Sequence, residues 1–119
     1  MNHTSFLIAA LFVAAPAFAE QPKVIDATAH STGMGWDFSV TIEHPDTGWD
    51  HYADGWEIVG SDGTVFGTRV LHHPHVKEQP FTRGLSNVML PDGTREVFIR
   101  VKCSEDGWKD SGYKITLSR

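Results

Sequence analysis

Five histidines, His44, His51, His72, His73 and His75, are the residues of this chain best placed to do chemistry. His44 and His51 flank one segment, Glu43-His44-Pro45-Asp46-Thr47-Gly48-Trp49-Asp50-His51-Tyr52. The other three crowd a second segment, His72-His73-Pro74-His75-Val76-Lys77-Glu78-Gln79-Pro80. Neutral imidazole is a ligand for Zn(II), Cu(II) or Ni(II), and carboxylates at the same pole add oxygen donors. In extended backbone His73 and His75 point the same way, at period two. In a polyproline II conformation around Pro74 the period is three, and His72 pairs with His75 instead. Either geometry puts two rings on one side of the loop, with His44 or His51 able to complete a site. Metal–nitrogen bonds of roughly 2 Å require such ligands to converge, which spacing alone does not establish. The competing expectation is that these rings are solvated, or that they hydrogen-bond loop backbone.

Aromatic residues offer a second chemistry. Trp49 and Trp108 fall among Gly and Asp in segments that read as loops, where aromatics on a rigid scaffold bind glycans, peptides or a partner protein. Trp36 and Trp56 fall on strand-like faces and are expected in the core. Cys103 is the single cysteine, so no internal disulfide forms. It reads as a small buried hydrophobe at the inward face of a strand. Arg83 is expected to pair with Glu78 or Asp50. No nucleophile elbow and no glycine-rich phosphate loop is present, so no catalytic residues are assigned and the chain is not expected to be an enzyme.

The elements that must position these residues are short and alternating. Trp36, Phe38, Val40 and Ile42 alternate with Asp37, Ser39, Thr41 and Glu43, the pattern of a half-buried strand. Val97, Ile99, Val101 and Cys103 repeat it. Further strands are expected near 23–29, 52–59, 65–71, 81–90 and 113–117, broken by Ser61-Asp62-Gly63-Thr64 and Pro91-Asp92-Gly93-Thr94 turns. Seven strands in about 100 residues predict an all-β, immunoglobulin-like or fibronectin-III-like sandwich, with a small closed barrel as the alternative. In a sandwich the second-to-third, fourth-to-fifth and sixth-to-seventh connections share one pole. That pole then gathers His44, His51, His72, His73 and His75 with Trp49 and Trp108. Met34 and Met89 fall at the opposite pole.

Residues 1–19 read as a cleavable signal peptide. An apolar stretch from Phe6 to Val13 is followed by Ala17 and Ala19 at the small-residue positions of a cleavage site. The apolar run is shorter than the roughly 20 residues a spanning helix needs, and no cysteine marks a lipid-attachment site. Residues 20–119 are then a single domain, periplasmic or secreted. All charged side chains lie after Ala19, at net charge −5. This acidity argues against nucleic acid and anionic membrane surfaces as partners.

The segment His73-Pro74-His75-Val76 with Glu78-Gln79-Pro80-Phe81-Thr82-Arg83 resembles a group of small exported bacterial proteins. The resemblance runs from Gly35 to Leu117 and implies a compact β domain, without assigning any residue a role. At the level of fold and compartment the chain is also similar to the periplasmic copper-resistance proteins. Their amino-terminal histidine ligand has no counterpart at Glu20 or Gln21.

The expected function is a non-catalytic exported binding domain that holds Cu(II) or Zn(II) through His72, His73 and His75, aided by His44 or His51. The alternative is a protein- or glycan-binding envelope module anchored by Trp49 and Trp108, without metal. A purely structural envelope domain is the third reading.

Overall fold

The computed structural model describes residues 20–118. The expected signal peptide, residues 1–19, lies outside them. Among the described residues the chain forms seven strands and no helix. They are β1 (Lys23–Ser31), β2 (Trp36–Glu43), β3 (Ala53–Val59), β4 (Val65–Val70), β5 (Phe81–Val88), β6 (Glu96–Cys103) and β7 (Gly107–Thr116).

The alternating side chains decide how these strands stack. On β2, Trp36, Phe38, Val40 and Ile42 are all buried and the residues between them are not. On β6, Val97, Ile99, Val101 and Cys103 are buried in the same way. Each strand therefore has one face that must be covered, and two antiparallel sheets cover each other. One has the order β1-β2-β5 and the other β4-β3-β6-β7. Trp56 and Ile58 on β3 sit opposite Val101 and Ile99 on β6, forming the centre of the larger sheet. Phe81 on β5 sits opposite Ile42 on β2 in the smaller sheet. The core between the sheets joins Trp36, Phe38, Ile42, Trp56, Ile58, Phe81 and Ile99. Both tryptophans expected in the core are there.

The two sheets remain separate, so the arrangement is a sandwich and not a closed barrel. They approach at their edges, where Arg69 on β4 donates from Nη1 to the Gly84 carbonyl on β5 at 3.1 Å. The approach is close at Gly67, where an added Cβ would lie 2.9 Å from Leu85 Cδ2.

Because successive strands run antiparallel, connections alternate between two poles. Residues 44–52, 71–80 and 104–106 meet at one pole. Met34 and Met89 lie together at the other, beside Gly35 and Trp36. β7 is longer than its sequence suggests. It begins at Gly107, and a register shift opposite Ile99 and Arg100 lets Trp108 pair with Lys102. Trp108 therefore belongs to a strand and not to a loop.

Candidate metal centre

The site grows from Asp46, in the β2–β3 connection. Its carboxylate is buried, at 6% exposure. A buried carboxylate is costly unless hydrogen bonds replace its water. Three donors do so. Oδ1 accepts the Ala53 N–H at 3.0 Å and the His44 ring at Nδ1 at 2.5 Å. Oδ2 accepts the His75 N–H at 2.7 Å. One side chain thus ties the start of β3, the end of β2 and the β4–β5 connection together. Gln79 adds a second tie. Its Oε1 accepts the His44 N–H at 2.9 Å, and its Nε2 donates to the His75 carbonyl at 2.9 Å. The Gln79–Pro80 bond that follows is cis and leads into β5.

His51 is brought back over His44 by a tight reversal. Thr47 donates to the His51 carbonyl at 3.0 Å, and His51 N–H to the Gly48 carbonyl at 3.2 Å. Gly48 takes φ 141°, a conformation that a side chain disfavours. The rings of His44 and His51 then meet edge to face, with centroids 4.5 Å apart.

With Nδ1 turned to the Asp46 carboxylate, His44 presents Nε2 to the rest of the pole. That nitrogen lies 3.1 Å from His51 Nε2 and 2.7 Å from the Glu20 carbonyl oxygen. The carbonyl can only accept. Two ring nitrogens and an oxygen therefore converge where neutral imidazoles have too few protons to link them. Cys103 completes the group: its Sγ and one ring nitrogen from each of His44 and His51 all lie within 4.8 Å of one another. His44 and Cys103 are each 1% exposed and His51 is half-buried. The Asp106 N–H donates to Sγ at 3.4 Å.

The five histidines expected at this pole divide into three settings. His44 and His51 share the centre just described. His75 is buried at 6% exposure, stacked on Phe81 with centroids 4.0 Å and planes 11° apart. Its Nε2 accepts from Arg83 Nη2 at 2.9 Å, and its buried Nδ1 has no hydrogen-bond partner. Burial, then the charges of Arg83 and His73, push its pKa below 6.5, with Glu78 and Asp46 opposing. The exposed His73 ring lies 4.6 Å from that of His75, the same-side pairing expected of extended backbone. His72 is exposed and lines a groove with Tyr52, Asp54, Arg69, Lys102 and Trp108. The expected trio of His72, His73 and His75 is thus not the grouping the fold makes with His44 or His51. Arg83 instead holds His75, donating to its Nε2 and pairing with Glu78 at 3.0 Å.

The tryptophans also separate. Trp49 is 67% exposed beside Tyr52, at 5.6 Å between ring centroids. Trp108 is half-buried on the outer face of the larger sheet, against Gly55 and with Arg100 and Lys102 each 5.9 Å from its ring. Asp46 and Cys103 were not singled out as site residues by sequence. The available signals were Asp46 two residues after His44, and Cys103 at the end of a strand that leads into the histidine pole.

No family model matches the chain, and no solved structure matches it. A protein of Halomicrobium mukohataei named "Putative lipoprotein" is 40% identical over 81 residues, covering 67% of this chain and 39% of that protein. The chain thus spans well under half of that relative's length. Among the described residues no helix is long and apolar enough to cross a membrane.

Proposed function

We propose that this is an exported, non-catalytic domain that binds a divalent transition metal at His44, His51 and Cys103. The observation that carries the reading is the convergence of a ring nitrogen from each of His44 and His51 with Cys103 Sγ within 4.8 Å, the two Nε2 atoms lying 3.1 Å apart, with His44 oriented by a buried carboxylate. Histidines that ligate metals characteristically donate their other ring N–H to such a carboxylate. Thiolate and imidazole suit Zn(II) and copper, whereas Mg(II) and Ca(II) prefer oxygen.

Export is supported by the signal-like residues 1–19 and by the name "Putative lipoprotein" of the 40%-identical relative. The immunoglobulin-like reading is supported by the two facing antiparallel sheets. In constant-type immunoglobulin domains the fourth strand joins the first, second and fifth. Here β4 pairs with β3 instead, which favours the fibronectin-III-like form.

A second reading rests on Trp49, whose 67% exposure makes it an anchor for a protein or glycan partner. The two readings separate in one experiment. Chelator-treated protein is titrated with Zn(II), Cu(II) and Ni(II) by calorimetry, alongside His51→Ala and Trp49→Ala variants. The metal reading expects one site, lost in His51→Ala and kept in Trp49→Ala. Absence of binding with every metal would leave the partner-binding reading in its place.

A further inference from the structure

We propose that the metal is copper, held by the Cys103 thiolate, His44 Nε2 and His51 Nε2, with the Glu20 carbonyl oxygen as a fourth, weaker donor. This rests on the reading of the pole as a metal centre and goes further by fixing the ion and its electronic type. Two imidazoles and one thiolate with a backbone oxygen nearby form the ligand set of thiolate–copper centres.

Three observations favour copper over harder ions. First, the carboxylate nearest the site is withheld from it. Asp46 is occupied by three donors, the Ala53 and His75 N–H groups and the His44 ring. The only anionic ligand is then the thiolate, which selects a soft or borderline ion. Second, the Asp106 N–H directed at Sγ at 3.4 Å stabilises a sulfur that carries negative charge, and such hydrogen bonds tune a bound copper. Third, the two ring nitrogens need little movement. Their 3.1 Å separation is what two metal–nitrogen bonds of roughly 2.0 Å subtend at an angle of about 100°. The thiol side is buried at 1% exposure, which shields the bond from water and from a second cysteine.

On binding, Cu(II) accepts one nitrogen lone pair from each ring, and the protons that Cys103 Sγ and the His44–His51–Glu20 contacts hold in its absence go to solvent. One copper–sulfur and two copper–nitrogen bonds form, and no electron is transferred in this step.

The test is titration of the full-length, chelator-treated protein with Cu(II), followed by visible absorption and calorimetry. A parallel Zn(II) titration and the variants Cys103→Ser and His51→Ala complete the set. Saturation at one equivalent with an intense blue thiolate-to-copper charge-transfer band is expected. The band should vanish in both variants, each checked to be folded by its near-ultraviolet circular dichroism. Two results would overturn the proposal while leaving the metal centre in place. One is copper binding with only weak absorption that Cys103→Ser leaves unchanged. The other is tight Zn(II) binding with Cu(II) consumed in oxidising Cys103 to an intermolecular disulfide, seen on a non-reducing gel. Failure of both Zn(II) and Cu(II) to bind would remove the metal centre itself.

Discussion

Asp46 is the residue on which the pole depends. It holds His44, Ala53 and His75 at once, so its removal strands three donors. Each stranded buried donor costs about 1–3 kcal/mol, and Asp46→Ala should therefore lower stability by several kcal/mol in urea unfolding. In protein that remains folded, metal affinity should fall by about 10–100-fold, as for other carboxylates that orient a ligand histidine. His75 gives a different prediction. Its neutral ring is favoured in the folded state, because burial and Arg83 oppose its charge. Its contribution is complete above pH 6.5, its ordinary value, and is lost as the pH falls from 6.5 to the depressed folded value. The fall in the urea midpoint between pH 8 and pH 5 should be smaller in His75→Gln than in the parent. Equal falls would show that His75 is not the group responsible. At this scale only the shared pole of His44 and His51 was legible, because they flank one connection. The part played by Cys103 was not. An inward cysteine at a strand's end fits both a core and a site, and only the packed loops show which rings it faces.

The strands were the most legible level, because a buried face forces period two. The alternation on β2 and β6 places eight side chains in the core, and all of them are there. Truncating one of them tests the packing directly. Ile99, at 0% exposure between its register partners Ile58 of β3 and Tyr113 of β7, should cost about 2–5 kcal/mol as Ile99→Ala. The denaturant slope should stay unchanged, since the same surface is exposed on unfolding. β7 was less legible. Gly107, Asp110 and Gly112 read as loop residues, yet the shift opposite Ile99 and Arg100 absorbs them into the strand. Gly67 shows a constraint of another kind. Its missing side chain lets β4 approach Leu85 and Val88 on β5. Gly67→Val should force the sheets apart at that edge and lower the thermal midpoint, whereas a valine at exposed Gly33 would act only through its backbone conformation.

The described residues form one core between two sheets, with five histidines at one end. Sequence alone reached this because antiparallel succession sends alternate loops to alternate poles, so the gathering of histidines followed from strand order. The distances within the pole did not follow, since they depend on the turn at Gly48 and on the Asp46 and Gln79 ties. With a single cysteine, the fold has no internal disulfide and leans on packing, so a ligand that binds only the folded state should register strongly. The most direct test of the metal centre is thermal unfolding of the purified protein in EDTA, then with Zn(II) or Cu(II) at about 100 times the dissociation constant. Such binding adds about 2.7 kcal/mol. In a domain of this size that raises the midpoint by roughly ten degrees or more. The rise should disappear in His51→Ala and Cys103→Ser and persist in His72→Ala. A midpoint that no metal moves, or one that moves equally in all three variants, would contradict a centre at His44, His51 and Cys103.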